Sequence, residues 1–206
     1  MGNDEWKDDK KIIGVVLLAA GNSKRYHSVK LLEVINGKKM YKHMLELTAK
    51  LAVTPKVMVT QYEEIRENAF QFGFEVVMNS EPDIGISHSI RLGLSKALET
   101  EPNLDGVLFS VCDQPYVNQA TLLQLLNVFQ KTEKGIACIA HKEVLGNPCI
   151  IGKKYFGELF ALSGDSGGKK IINKYPENVE LVLVNNIKEM IDIDYKEDVI
   201  KYDSSD

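Results

Sequence analysis

Three groups of residues in this sequence have the types and spacing for chemistry: a small-residue loop backed by cations, and carboxylates at two later places. The loop is Leu18-Ala19-Ala20-Gly21, followed by Ser23, Arg25 and Lys30. Ala20 and Gly21 let backbone approach a ligand closely, and successive N–H groups of such a turn form an anion-binding concavity. Arg25 suits forked contact with phosphate oxygens, and Lys30 adds a point charge. Together they read as a polyphosphate cradle. The second group is Asp113, which follows the apolar run 106–112 and precedes Gln114-Pro115, where Pro115 stops strand pairing. The third is Asp192 and Asp194, two apart, which on an extended strand project to one face and would complete a cation site. Each group also has a plainer reading. The loop fits a strand running into a basic, solvated turn; Asp113 fits a turn start; Asp192 and Asp194 fit the solvent face of an edge strand.

The elements around these residues decide whether they meet. Residues 12–20 are apolar apart from Gly14 and do not alternate, which predicts a strand covered on both faces, as in a parallel sheet between helices. Met40, Met44, Leu45, Leu47 and Leu51 recur at helical spacing, 56–60 reads as a strand, 62–71 as a helix stopped by Gly73, and 74–79 as a strand. This alternation predicts an α/β fold whose ligands bind beyond the carboxyl ends of the strands. Ser87 reads as the N-cap of a helix running past Gly93. Further on, 118–130 is an amphipathic helix, 136–140 a strand, 162–168 a mobile loop, 169–174 a helix, 179–184 a strand and 191–194 a short strand.

Composition bounds the function. At 206 residues the chain suits one domain with a substantial core. A hydrophobic share of 44% and a net charge of −4 describe an ordinary soluble protein and give no basic field for nucleic acid. Cys112, Cys138 and Cys149 show no C-x-x-C spacing and read as buried, reduced thiols. The polar start lacks the apolar core of a secretory signal, and no apolar run nears the roughly 18 residues that span a bilayer, so the expected place is the cytoplasm and no membrane partner is expected.

Leu18-Ala19-Ala20-Gly21-x-Ser23-x-Arg25, with Lys30-Leu31-Leu32 after it, resembles the signature loop of nucleotidyltransferases that activate a substrate with a nucleoside triphosphate. Within that superfamily the chain is most similar to the molybdenum cofactor cytidylyltransferases, although Tyr26-His27 stands where the family usually has Met-Gly. Further segments follow in the family's order. Gly85-x-Ser87-x-Ser89 with Gly93-Leu94 is similar to the helix start that reads the nucleotide base, and Asp113-Gln114-Pro115 to the metal-binding aspartate motif. Gly146-Asn147-Pro148 stands for the usual Gly-His-Pro, and its asparagine positions a ligand without carrying a proton. Gly164-Asp165 resembles a loop over the second substrate, and Asp192-Ile193-Asp194 resembles the family's acidic ending.

The resemblance covers residues 12–200. It implies a single three-layer α/β/α nucleotidyltransferase (Rossmann-like) domain over 12–202, with a mainly parallel mixed sheet, after a flexible segment 1–11. The implied reaction is transfer of CMP from CTP to the phosphate of molybdopterin (the molybdenum cofactor), with pyrophosphate released and a molybdenum hydroxylase as recipient. Leu18, Ala19, Ala20, Gly21, Ser23, Arg25, Lys30, Ser87 and Gly93 would hold nucleotide; Arg25, Lys30 and Asp113 would be catalytic. Asp113 and Asp194 would hold Mg²⁺, with Asp192 the other candidate for the second contact. Asn147 and Asp165 would face the acceptor. A cytidylyltransferase acting on a sugar or isoprenoid phosphate is the alternative within this chemistry, and a non-catalytic cofactor-carrying chaperone the alternative outside it.

Overall fold

The unbroken apolar run near the start lies in the middle of a sheet with helices on both sides. The computed structural model describes residues 10–23, 26, 28–195, 197 and 198. Of the ends expected to fray, 1–10 and 203–206, all but Lys10 lie outside the described residues, as does Arg25. Lys11 is tied to the body of the fold, its ammonium donating to the Phe129 carbonyl at 3.0 Å.

In chain order the elements are β1 (Ile13–Ala19), a small ribbon of β2 (Val34–Ile35) and β3 (Lys38–Lys39), α1 (Met40–Ala49), β4 (Lys56–Thr60), α2 (Glu63–Gln71), β5 (Glu75–Met78), α3 (Ile86–Thr100) and β6 (Gly106–Val111). Then follow α4 (Gln119–Lys131), β7 (Ile136–His141), β8 (Val144–Gly152), α5 (Phe156–Phe160), α6 (Lys169–Lys174) and β9 (Val179–Leu183). The main sheet has seven strands in the order β5-β4-β1-β6-β8-β7-β9. All neighbours are parallel except β8, which runs antiparallel to β6 and β7. This is the expected α/β/α domain with a mainly parallel mixed sheet.

The pleat explains the absence of alternation in β1. Ile13, Val15, Leu17 and Ala19 enter the core layer beneath α1, α2 and α4; Val16 and Leu18 enter the layer beneath α3, α5 and α6. Both faces are apolar because both are covered. Packing of α3 is equally local in origin: a Cβ at Gly93 would lie 2.4 Å from Val16 Cγ1, so only glycine lets the helix come this close to β1.

Two expectations change, and a stretch given no element beforehand joins the sheet. Ser87 is not the N-cap; α3 starts at Ile86 after Gly85, whose φ of 103° is open to glycine and strained for other residues. Residues 146–151 lie in β8, in a hairpin with β7 whose register slips between Cys138 and Ile139. Residues 191–194 form no strand and pair with none among the described residues; Ile193 N–H donates to the Asp113 carbonyl at 3.0 Å, which brings them to the end of β6. The three cysteines are free and buried, and burial pushes each thiol up, as their packing role requires. Among the described residues no helix is long and apolar enough to cross a membrane.

Candidate active site

Parallel strands β1 and β6 end side by side, and a cleft of about 340 Å³ opens beyond their carboxyl ends. Its floor is the turn after β1, from Leu18 to Ser23, and its walls include Lys30, Leu31, Gly85, Ser89, Asp113 and Asp165. Ser23 adopts a left-handed φ of 50°, and its hydroxyl accepts the Lys30 amide at 3.2 Å, which folds the loop back on itself. Buried Leu31 anchors the short turn that carries Lys30. Next to it Tyr26 is buried, its amide bonded to the Ser23 carbonyl at 2.9 Å. The tyrosine thus packs under the loop, which accounts for one of the two residues that depart from the family pattern; His27 lies outside the described residues.

The charged centre is compact. Lys30 Nζ lies 2.7 Å from Asp113 Oδ2 and 2.9 Å from Asp194 Oδ1, so the ammonium bridges two carboxylates that are far apart in the chain. Burial opposes the charge on Lys30, and Asp113 and Asp194 outweigh it, leaving the ammonium more firmly protonated than an ordinary lysine. Asp192 lies near Asp113, its Oδ1 accepting from the buried Gln114 amide at 2.8 Å. The residue as a whole is exposed, but its carboxyl faces this buried amide; burial and the neighbouring Asp113 charge push it up to about 6.

The residues fit a hard divalent cation. Asp113 Oδ1 is buried and has no hydrogen-bond partner among the described residues, while Oδ2 is already on a cation. Asp194 presents a second carboxylate at the same ammonium. Among the described residues no three His, Cys, Asp or Glu side chains gather into a self-sufficient metal site. A centre of one or two carboxylates completed by substrate phosphates is the arrangement that Mg²⁺ favours.

Leu18, Ala19, Ala20, Gly21, Ser23, Lys30, Asp113 and Asp165 all line this cleft. Ser87 and Gly93, expected at the nucleotide, do not. Ser87 is fully buried and its amide donates to the Gly164 carbonyl at 3.2 Å, so the 162–168 loop takes this amide, while Gly85, Ile86 and Ser89 of the same helix start line the cleft. Gly93 serves packing against β1. Asn147 lines a side pocket of about 70 Å³ that shares Leu18, Ile86 and Val111 with the main cleft. Sequence reasoning missed Asn22 and Asp83 in the cleft wall, and named Gly85 only as part of the helix-start motif. Asn22 Nδ2 donates to Asp83 Oδ1 at 2.9 Å, and a Cβ at Gly85 would lie 2.5 Å from the Gly164 backbone. Their signal was positional: each lies in a connection at the carboxyl end of a parallel strand.

The family model for the MobA-like NTP transferase domain matches residues 15–179, from the first strand to the start of the last. This chain belongs to that family. It is a nucleotidyltransferase of the MobA-like kind, and solved structures share its fold. Rv0371c from Mycobacterium tuberculosis H37Rv is 25% identical, with a TM-score of 0.77 over 95% of this chain and 100% of that one; a second crystal structure of Rv0371c is a complex with manganese. Molybdopterin-guanine dinucleotide biosynthesis protein A from Archaeoglobus fulgidus is 17% identical, with a TM-score of 0.67 over 91% of this chain and 95% of that one. The 4-diphosphocytidyl-2C-methyl-D-erythritol synthase from Anaerococcus prevotii is 15% identical, with a TM-score of 0.69 over 93% and 94%. No curated protein sequence matches. As a MobA-like transferase the chain takes a nucleoside triphosphate, and the loop, Lys30 and Asp113 lie together in the cleft at the ends of β1 and β6.

Proposed function

We propose that this protein is a cytoplasmic cytidylyltransferase that moves CMP from CTP to the terminal phosphate of molybdopterin, releases pyrophosphate and supplies molybdenum hydroxylases. The observation that carries the reading is the meeting of the glycine loop, the Lys30 ammonium and the Asp113 carboxylate in one cleft at the ends of β1 and β6. Asp113 and Asp194 would hold Mg²⁺, which supplies charge neutralisation at the phosphates when bound. The loop backbone near Gly21, Lys30 and Arg25 steady the leaving pyrophosphate. The reaction needs no covalent intermediate, so positioning and electrostatic stabilisation carry it. The acceptor phosphate is already an anion, and no histidine lines the cleft among the described residues, which suits a reaction without a general base. Asp165 in the cleft and Asn147 in the side pocket are the residues for the acceptor.

The choice of CTP rests on Ala20, buried in the cleft floor where its methyl group would crowd a purine. One methyl group in a pocket is worth about 1–3 kcal/mol. Likeness to the Anaerococcus synthase supports a second acceptor class, an isoprenoid or sugar phosphate, on the same cytidylyl chemistry.

Pyrophosphate release with Mg²⁺ and molybdopterin, compared across CTP, GTP, ATP and UTP, tests the reading. Release with CTP alone is expected, and Asp113→Asn should lose about 10²-fold or more in turnover. Release with GTP instead would overturn the base, and release only with another phosphorylated acceptor would overturn molybdopterin. An Asp113→Asn protein as active as the wild type would overturn the role of Asp113, and no release with any of the four triphosphates, together with no nucleotide binding, would leave a carrier.

A further inference from the structure

Strand β4 does more than pair with β1. The last backbone pair of the two strands is Ala19 with Thr60. Beyond it the pairing continues through side chains, one residue at a time. Thr60 Oγ1 donates to the Ala19 carbonyl at 3.0 Å, Gln61 Nε2 to the Ala20 carbonyl at 2.9 Å, and Tyr62 Oη to the Gly21 carbonyl at 2.7 Å. Three consecutive side chains hold three consecutive carbonyls. Gln61 Nε2 also reaches Asn22 Oδ1 at 2.8 Å. Burial pushes the Tyr62 hydroxyl up, so it stays a donor at neutral pH.

The peptide unit is planar and trans, so its N–H points opposite to its C=O. With the Ala20 and Gly21 carbonyls drawn toward β4, the N–H groups of Gly21 and Asn22 are turned the other way. In the sheet order β4-β1-β6 the other way is toward β6, Asp113 and the cleft. Left alone, a turn of small residues samples many backbone directions, and glycine most of all.

We propose that Gln61 and Tyr62 are positioning residues that aim the Gly21 and Asn22 amides at the phosphates of the bound nucleotide. The inference rests on the nucleotidyltransferase reading and deepens it: the anion site is pre-organised from behind, by side chains that never touch the ligand. Tyr62→Phe removes one hydroxyl, and Gln61→Glu replaces the donor by an acceptor of the same shape.

Calorimetric titration of tripolyphosphate, CTP and cytidine into the metal-free full-length protein tests this. Each variant should bind tripolyphosphate and CTP about five- to tenfold more weakly, the effect of one hydrogen bond, with cytidine affinity unchanged. Wild-type affinity for tripolyphosphate and CTP in both variants would overturn the inference and leave the nucleotidyltransferase reading intact. Equal weakening toward cytidine would also overturn it, since the side chains would then support the whole pocket rather than the phosphates. Absence of any nucleotide or tripolyphosphate binding by the wild type would overturn the parent reading and this one with it. Tyr62→Phe keeps the test decisive if Gln61→Glu fails to fold.

Discussion

Lys30, Asp113 and Asp194 come from three distant parts of the chain and meet within hydrogen-bond distance. Lys30 and Asp113 were legible beforehand because each follows the carboxyl end of an apolar run, where parallel sheets collect ligands. Asp194 was reached instead through the paired carboxylates at 192 and 194 and the likeness to the family's acidic ending. Asp192 gives the test at this scale. Its carboxyl ionises near 6 in the folded chain and near the ordinary 3.8 when unfolded. Between those values the native state holds the extra proton, so its stabilising contribution is full below about pH 4 and lost as pH rises through 6. Asp192→Asn, which mimics the protonated form, should therefore gain stability relative to the wild type from pH 4 to pH 7 in metal-free buffer. A constant difference in Tm across that range would refute it. Ser87 shows where residue-level reading stops: its amide partner, the Gly164 carbonyl, lies far along the chain and nothing in the local sequence announces it.

At the scale of elements, the strands and helices flanking β1 were legible from apolar spacing, but β8 was not. Its residues 144–147 are partly exposed and polar in places, and Pro148 argues against a central strand until the register slip beside Cys138 makes room for it. The 191–194 segment failed for the opposite reason: it has the pattern of a strand and, among the described residues, no strand to pair with. The contact between α3 and β1 offers a sharper test. Gly93→Ala would put a methyl group against Val16, whose branched side chain cannot swing aside. Overpacking costs about 1–3 kcal/mol, while alanine returns about 1 kcal/mol of helix propensity, so a net loss of up to about 2 kcal/mol is expected. Urea unfolding should show a lower midpoint with an unchanged slope. A more stable variant would mean that α3 is free to move off the sheet.

Across the whole molecule, the segment bearing Asp192 and Asp194 is the last described part of the chain to join the site, and it is pinned at its root. Buried Glu189 accepts from the Thr121 hydroxyl and, at 3.3 Å, from the Asn118 amide, at the start of α4. A carboxylate there also meets the positive end of the helix. Glu189→Ala should cost about 1–3 kcal/mol by stranding those donors, and should speed hydrogen exchange at the Ile193 amide. Glu189→Gln, which keeps an acceptor, should lose less. Unchanged exchange at Ile193 would show that the segment is held by other contacts. The arrangement also sets a timetable. Chains emerge from the ribosome amino end first, so β1, its loop and Lys30 exist long before the carboxylate that Lys30 will share. On the proposed chemistry a half-made chain has the beginnings of a phosphate grip and gains its second carboxylate only when Asp194 arrives.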